Sequence, residues 1–248
     1  MQETGTRINK YMSQCGYCSR READRLIEKG KVWINGTLAT MGTKVMPGDT
    51  VMVHHTTITP CQKEYLLAFH KPAGIVCTTI PAGLCTTSKI DKNNVIDYLN
   101  FPERIYPVGR LDKESTGLLL LTNNGQLMDD VLRGSNYHEK EYIVHVNKPI
   151  TDSVLQAMAQ GVPILDTITR PCKIRRMGKD CFYITLTQGL NRQIRRMCEY
   201  FDYRVTSLKR IRIMNIELGS LPVGKWRELT PSEIKTLKNL AQNKGEAE

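Results

Sequence analysis

The sequence has no long hydrophobic run, and no segment approaches the ~18 consecutive apolar residues that a membrane-spanning helix needs. Its first residues, Met-Gln-Glu-Thr-Gly-Thr-Arg, also lack the apolar stretch of a secretory signal peptide. Hydrophobic residues make up 40% of the sequence, which is typical of a globular protein. The length of 248 residues is enough for one sizeable domain and a small one. We therefore expect a cytoplasmic protein with no membrane partner.

The sequence also lacks a complete set of metal ligands. Of its eight cysteines, only Cys15 and Cys18 have the spacing of a ligand pair, and no second Cys-x-x-Cys or His-x-x-x-His follows. The other cysteines are scattered, as reduced thiols in a reducing compartment are. No glycine-rich phosphate-binding loop is present either. We expect free thiols, no metal and no cofactor.

Positive charge is in excess and it is clustered. The chain has 35 Lys and Arg against 25 Asp and Glu, a net charge of +10. Residues 1–62 contain 8 basic and 5 acidic side chains, and residues 170–212 contain 12 basic and 3 acidic ones. Clustered cations of this kind match a polyanion such as nucleic acid. The alternative is a basic face that only confers solubility.

Residues 7–53 have the punctuation of a small module. A helix is predicted over Arg7–Gln14, and a second one begins where Ser19 and Glu22 form a capping box and ends at Gly30. The pair Asn35-Gly36 predicts a hairpin turn. Short strands are predicted at Val32–Ile34 and Val51–Val53, and the polar stretch His54–Glu64 is predicted to be a linker.

The cations of this module are placed to meet phosphate. Arg20 and Arg21 lie in the first turn of the second helix, where the helix dipole is already positive. The order of two helices and a Gly-x-Val-x-Ile-Asn-Gly hairpin resembles the αL-type RNA-binding domain of ribosomal small-subunit protein four. That resemblance implies RNA contacts by Arg7, Lys10, Arg20 and Arg21. The alternative is a capped helix with solvated arginines.

From Tyr65 onward, strand and helix patterns mix without a regular alternation, which indicates an α+β fold. Strands are predicted at Leu66–Phe69, Ile105–Val108, Leu118–Leu121, Glu141–Val146, Phe182–Leu186 and Ile211–Leu218. Helices are predicted at Gln126–Leu132, Asp152–Gln160, Arg192–Phe201 and Pro231–Leu240. Residues 78–94 are predicted to form an exposed loop, and the last residues a frayed tail.

One segment, Pro107–Leu118, combines a carboxylate with flanking cations. Asp112 lies between Arg110 and Lys113 in a loop bounded by glycines that leads into an apolar strand. Neighbouring cations favour the ionised form of a carboxylate, so Asp112 can act as a nucleophile or a base. By itself, Asp112 could also be an ordinary turn aspartate paired with Arg110.

Two further segments contain candidate site residues. In Lys140-Glu141-Tyr142, a tyrosine projects from one face of a predicted strand, where it could also be simple sheet packing. In the predicted helix Arg192–Phe201, the buried stripe contains Ile194 and Met197. Arg195 lies at the flank of this stripe, from which a long side chain can present its guanidinium to a cleft or contact a phosphate.

Gly109-Arg110-Leu111-Asp112, Tyr142 and Gln193-Ile194-Arg195, in this order, resemble the pseudouridine synthases, in particular the ribosomal branch that has an αL-type N-terminal domain. The resemblance extends from about Thr6 to Leu240, and its 138–142 and 189–199 segments are most similar to members that modify 23S rRNA. It implies a catalytic domain built on a mixed, mainly antiparallel sheet flanked by helices and loops. It implies that Asp112 attacks the ribose or the base, or abstracts a ribose proton. Tyr142 is implied to stack on the flipped-out target base, and Arg195 to pair with the aspartate.

The resemblance also implies an organisation and a partner. We expect an RNA-binding domain with its linker at 1–62, a catalytic domain at 63–240 and a tail at 241–248. The expected partner is large-subunit rRNA. We expect the protein to be a monomer with no obligate protein partner. The alternatives are a tRNA target and a non-catalytic RNA-binding factor in ribosome assembly. The stretch 80–91 is longer than the chemistry requires, and we assign it no contact. Further RNA contacts are expected from Arg110, Lys113, Arg192, Arg196, Lys209 and Arg210.

Overall fold

The structure is a computed structural model that describes residues 5–78, 93–132 and 137–242. These residues separate into two compact units. The first consists of residues 5–64 together with the short segments 101–104 and 123–125, and the second contains the rest. The predicted loop at 80–91 lies outside the described residues.

The first unit combines two helices with short strands. Strand β1 (Thr6–Arg7) precedes helices α1 (Ile8–Gln14) and α2 (Arg20–Glu28). The strands that follow are β2 (Val32–Ile34), β3 (Thr37–Leu38), β4 (Lys44–Val45), β5 (Val51–Val53) and β6 (Thr56–Ile58). An antiparallel sheet has the order β3-β2-β5-β6, and β1 pairs with β4. Both helices pack on this sheet through a common core that includes Ile8, Met12, Ala23, Ile27, Val32 and Val51.

The start of α2 confirms the Ser19 half of the predicted capping box, whereas the Glu22 carboxylate pairs with Arg25 instead. The Ser19 hydroxyl accepts a hydrogen bond from the Glu22 N–H at 3.2 Å, which satisfies one of the free donors at the helix start. The Glu22 carboxylate in turn accepts a hydrogen bond from Arg25 at 3.1 Å. Ala23 and Ile27 are buried, as the apolar spacing predicts.

The prediction of a linker at 54–64 is wrong for its first part. His54 and His55 form a turn with positive φ, and the next three residues form β6, in which Ile58 pairs with Val51. Ile58 is buried against the core of the first unit. A three-residue strand with a single apolar side chain is too short to show alternation in the sequence.

The second unit is built around one large sheet. The strands of the second unit are β7 (Leu66–Lys71), β8 (Tyr106–Val108), β9 (Thr116–Thr122), β10 (Lys140–Val146), β11 (Pro163–Ile164), β12 (Thr167–Ile168), β13 (Lys173–Arg176), β14 (Cys181–Leu186), β15 (Val205–Ile213), β16 (Ile216–Glu217) and β17 (Trp226–Glu228). Its helices are α3 (Val95–Leu99), α4 (Gly125–Leu132), α5 (Asp152–Gln160), α6 (Gln193–Tyr200) and α7 (Pro231–Gln242). Within the described ranges, the sheet has the order β13-β14-β10-β15-β9-β7-β17, with β16 on β15 and β8 on β9. Strands β15 and β9 are parallel, and the other pairs are antiparallel. The predicted α+β class with a mixed, mainly antiparallel sheet is confirmed.

Two hydrophobic cores cover this sheet. One core joins helices α5 and α6 to strands β10, β14 and β15, with Phe182, Ile184 and Met197 fully buried. The other joins α4 and α7 to β7 and β9, around Leu118 and Leu120. The cores hold β9, β15 and β10 side by side, and the residues at the ends of these strands and of α6 therefore meet in one place.

Several element boundaries differ from the predictions. The predicted strand Ile211–Leu218 is the end of β15, a turn at Met214 with positive φ, and β16. Helix α3 was not predicted, and its cap Asn94 is buried rather than part of an exposed loop. The Asn94 side chain accepts from the N–H groups of Ile96 and Asp97, both at 3.0 Å. Helix α7 continues through residues 241 and 242, so the frayed tail cannot begin at 241.

Candidate active site

Asp112 lies in the loop between β8 and β9, at the wall of a cleft of about 560 Å³. Its side chain is 32% exposed, whereas the preceding Leu111 is buried. The Leu111 N–H donates to the buried Cys77 sulfur at 3.4 Å, and the Ser115 N–H donates to the Asp112 carbonyl at 3.0 Å. The loop is thus tied down on both sides of the carboxylate, which remains open to the cleft.

A buried lysine holds this loop from below. Lys71, at the end of β7, is fully buried, and its ammonium donates to the carbonyls of Pro72 at 2.8 Å, Ser115 at 2.9 Å and Lys113 at 3.1 Å. Burial lowers the pKa of Lys71, and the nearby Cys77, Glu114 and Asp112 oppose that shift. Two of its three acceptors flank Asp112 in the loop, so Lys71 fixes the backbone that carries the carboxylate.

Sequence patterns do not single out Lys71 as a functional residue. The available signal was a lysine directly after an apolar strand, where a charge would be buried with the strand. Buried ammonium groups need several acceptors, and sequence does not show which backbone carbonyls supply them.

Arg195, on helix α6, faces the same carboxylate. Its Nε lies 3.6 Å from Asp112 Oδ2, and its side chain is only 11% exposed. The two other nitrogens donate to the Val205 carbonyl at 3.3 Å and to the Ser115 hydroxyl at 3.4 Å. Ile194 and Met197 are buried, so Arg195 flanks the buried stripe as predicted and is held there by neighbouring strands. The structure therefore brings Asp112 and Arg195 together.

Tyr142 lies on β10, between Ile184 of β14 and Arg210 of β15. It is half-buried against the core beneath α6 and lines the cleft that Asp112 also lines. The Arg210 guanidinium carbon is 6.0 Å from the centre of its ring. An aromatic side chain that packs on the core and also lines a cleft can act as a stacking platform for a base.

The structure does not support the prediction that Arg210 contacts RNA as a surface cation. Arg210 is only 3% exposed, and its Nε donates to the Leu118 carbonyl at 2.7 Å. Strand β15 lies between β9 and β10, and Gly117 allows a very close approach, because a Cβ there would lie 2.1 Å from the Arg210 carbonyl oxygen. The side chain is therefore held in the wall of the cleft.

The other predicted RNA contacts fall into three groups. Arg110, Lys113 and Arg192 line the cleft, and all three are exposed. Arg196 donates to the Asn191 carbonyl at 3.1 Å and so braces the start of α6, and Lys209 is half-buried on β15. Of the predicted contacts in the first unit, Arg7, Arg20 and Arg21 are exposed, and Lys10 is half-buried.

Two features are absent from the described residues. Among them, no group of three His, Cys, Asp or Glu side chains is placed to hold a metal ion. In the same part of the chain, no helix has the length and hydrophobicity needed to cross a membrane.

The fold and the cleft point to a single class of protein, and comparison with known sequences identifies the same class. The RNA pseudouridylate synthase family matches residues 65–200, and the S4 domain family matches residues 6–51. Dual-specificity RNA pseudouridine synthase RluF is 50% identical in Salmonella typhi and 49% in Escherichia coli K12, over 97% of this chain and 81% of each relative. The chain belongs to the RsuA/RluF family of pseudouridine synthases, which are isomerases acting on RNA.

Less similar proteins support the same assignment over the whole length. Ribosomal large subunit pseudouridine synthase B of Bacillus subtilis is 33% identical over 96% of this chain and 97% of its own. A solved structure described as a pseudouridylate synthase is 27% identical, with a TM-score of 0.66, and the match covers 94% of this chain and 99% of that one. The N-terminal unit and the catalytic domain thus occur together in both relatives.

Proposed function

We propose that this protein isomerises a uridine to pseudouridine in 23S rRNA, with Asp112 as the catalytic nucleophile. The observation that carries this proposal is the ion pair of Asp112 with Arg195 in the cleft that Tyr142 lines. The relatives named for RNA and for the large ribosomal subunit support an rRNA substrate.

The proposed roles follow from the positions of the three side chains. In the proposed route, the Asp112 carboxylate bonds to C1′ of the ribose while the bond from C1′ to N1 of uracil breaks. The base turns, its C5 bonds to C1′ and displaces the carboxylate, and the C5 proton is lost as N1 gains one. Arg195 orients the carboxylate, and Tyr142 replaces the stacking that the flipped-out base loses. No electrons are exchanged with a partner, so this route requires no redox cofactor.

RNA binding is proposed to involve both units. The exposed cations at the cleft, Arg110, Lys113 and Arg192, are placed to contact phosphates next to the target nucleotide. In the S4 domain, Arg20 and Arg21 at the start of α2 supply a second basic surface. We propose an S4 domain with its linker at 1–62, a catalytic domain from 63 to the end of α7 at 242 and a tail after it, in a cytoplasmic monomer that needs no protein partner.

One observation favours the alternative that the protein also modifies a second RNA. The most similar relatives reported above carry a name that states dual specificity. We propose tRNA as that second target, because it shares the chemistry and requires only a different fit of the RNA to the same cleft.

The test is to express Asp112→Asn in cells that lack the enzyme. Pseudouridine in their 23S rRNA is then mapped by primer-extension stops after carbodiimide treatment. Wild-type protein should restore one stop and Asp112→Asn none, because the amide cannot act as the nucleophile. The matched control is Glu114→Gln, which removes an exposed carboxylate from the same loop and should restore the stop. Restoration by Asp112→Asn would exclude Asp112 from the mechanism. If wild-type protein restored growth or assembly without a stop, a non-catalytic assembly factor would be the better description.

A further inference from the structure

Lys140 is a second basic residue inside the cleft, and the proposed route gives it no role. It precedes Tyr142 by two positions on β10, so both side chains lie on the same face of the strand. Both line the cleft together with Asp112. The Lys140 ammonium donates to the His138 carbonyl at 3.2 Å. No other hydrogen bond of this ammonium is found among the described residues, which leaves two of its three N–H groups for a ligand.

Arg210 places a second cation beside the same part of the cleft. It lies across from Tyr142 on β15, and its Nη2 is buried without a hydrogen-bond partner in the described structure. A guanidinium N–H that is buried and unpaired is costly, so its retention here points to a charge that the free protein does not contain.

The cleft has an excess of positive charge. Glu139 and Glu141, which flank Lys140, accept hydrogen bonds from Arg212, each at 2.9 Å, and Glu139 also pairs with Lys173 at 3.0 Å. Among the described lining residues, Asp112 is the one carboxylate. The basic side chains that line the cleft are Arg110, Lys113, Lys140, Arg192 and Arg210. A ligand that carries or develops negative charge is therefore favoured.

The proposed reaction develops negative charge on the base. When the N1–C1′ bond breaks, its electron pair leaves with uracil, which then carries one negative charge shared by N1, O2 and O4. We propose that Lys140, supported by Arg210, donates to a carbonyl oxygen of uracil and stabilises this anion in the transition state. This inference depends on the proposed function, because it requires uracil to leave as an anion in that reaction.

Geometry favours the base over a phosphate as the group that Lys140 meets. Side chains two positions apart on a strand are about 7 Å apart. In the proposal, a uracil stacked on the Tyr142 ring turns one edge toward Lys140. Fixed cations that meet charge only as it develops, in a site with little water, are among the strongest contributors to catalysis.

The ionisation of Lys140 makes this role measurable. Burial, and secondarily the Arg210 charge, lower the pKa of Lys140 to about 8. The ammonium form exists below that pH, so the rate of isomerisation should fall as the pH rises above about 8. The other charged or titratable groups that line the cleft are Cys77, Arg110, Asp112, Lys113, His138, Tyr142, Arg192 and Arg210. Burial raises the pKa of the Cys77 thiol, and a titration from that group is separated from that of Lys140 by substitution.

The experiment compares wild-type protein, Lys140→Met and Lys140→Arg on a 23S rRNA transcript labelled with tritium at C5 of uridine. Tritium is released when C5, once bonded to C1′, loses its hydrogen, and single-turnover release reports the chemical steps up to that loss. Lys140→Met should release tritium about 10²-fold more slowly, with RNA affinity and its salt dependence unchanged. Lys140→Arg should retain most of the rate and lose the decline above pH 8, because a guanidinium stays charged.

Three results would overturn the inference. The first is Lys140→Met with a rate within threefold of wild type. The second is a loss confined to RNA affinity with a reduced salt dependence, which would make Lys140 a phosphate contact. The third is an unchanged decline above pH 8 in Lys140→Arg. If wild-type protein released no tritium, the proposed function itself would be wrong. This outcome differs from the three above, in each of which wild-type protein is active. Thermal melting of each variant shows whether a lost rate reflects lost folding.

Discussion

The Nε of Arg195 lies 3.6 Å from Oδ2 of Asp112, which is too long for a hydrogen bond, and this nitrogen is buried without another partner among the described residues. The two side chains are therefore close but not hydrogen-bonded in the free protein. Because Val205 and Ser115 hold the other nitrogens of Arg195, the guanidinium is already aimed at the carboxylate. Active-site contacts of this kind often shorten when substrate binds.

Arg195→Lys is expected to keep the charge and lose the orientation. A lysine ammonium cannot satisfy the Val205 carbonyl, the Ser115 hydroxyl and Asp112 in the fixed geometry of a guanidinium. Tritium release in a single turnover should fall about a hundredfold, with RNA affinity within twofold of wild type. The control is Arg175→Lys on the edge strand β13, whose guanidinium stacks on Tyr183 outside the cleft. Equal rates for Arg195→Lys and wild type would show that charge alone is enough.

Lys71→Met tests whether the buried ammonium holds the Asp112 loop. The substitution removes one donor from the carbonyls of Pro72 and Ser115, and one of two donors from the Lys113 carbonyl, which keeps the Gly74 N–H. Lys113 and Ser115 follow the proposed nucleophile Asp112 in its loop. The free energy of unfolding should fall by about 2 kcal/mol, and tritium release should fall with it under conditions in which the variant is folded. Urea denaturation and single-turnover assays measure the two effects. Lys225→Met removes an exposed lysine and should change neither. A folded Lys71→Met with a wild-type rate would show that the loop does not depend on Lys71.

Gly117→Ala is expected to unfold the catalytic domain. Gly117 has a φ of 104°, and a Cβ at this position would lie 2.1 Å from the Arg210 carbonyl oxygen and 2.6 Å from its nitrogen. Both atoms belong to the backbone of a central strand and cannot move away cheaply. The free energy of unfolding should fall by more than about 4 kcal/mol. This loss would be seen as insoluble protein or as a large drop in melting temperature. Gly178→Ala, where a Cβ meets only the Cys181 side chain at 3.8 Å, is the control. A soluble Gly117→Ala with normal melting would contradict the close β9–β15 approach.

Sequence patterns predicted the elements whose signals are local. Helix α2 has its cap and apolar spacing within ten residues, and α5 matches its predicted bounds Asp152–Gln160. The pairing of Asp112 with Arg195 was different in kind, because 82 intervening residues separate them and only the family resemblance brought them together.

The features that sequence could not predict depend on the surroundings. Lys71 and Arg210 look like surface cations in the sequence, yet both are buried, because backbone carbonyls from neighbouring segments accept their hydrogen bonds. Strand β6 forms because Ile58 pairs with Val51 across the sheet. The break between β15 and β16 depends on a positive φ at Met214. In each case the deciding partner is distant in sequence or the backbone conformation is unusual.

The S4 domain is expected to bind RNA through the first turn of α2. Replacing both Arg20 and Arg21 by Glu should weaken binding and reduce the slope of log affinity against log salt by about 2, since each phosphate contact contributes about one. Filter binding of a 23S rRNA transcript between about 50 and 200 mM salt measures the slope. The matched control, Lys29→Glu with Lys31→Glu, makes the same change in net charge just beyond the other end of the helix. If the two double variants had the same slope, total charge rather than this surface would determine binding, and the anchor would lie elsewhere in the chain.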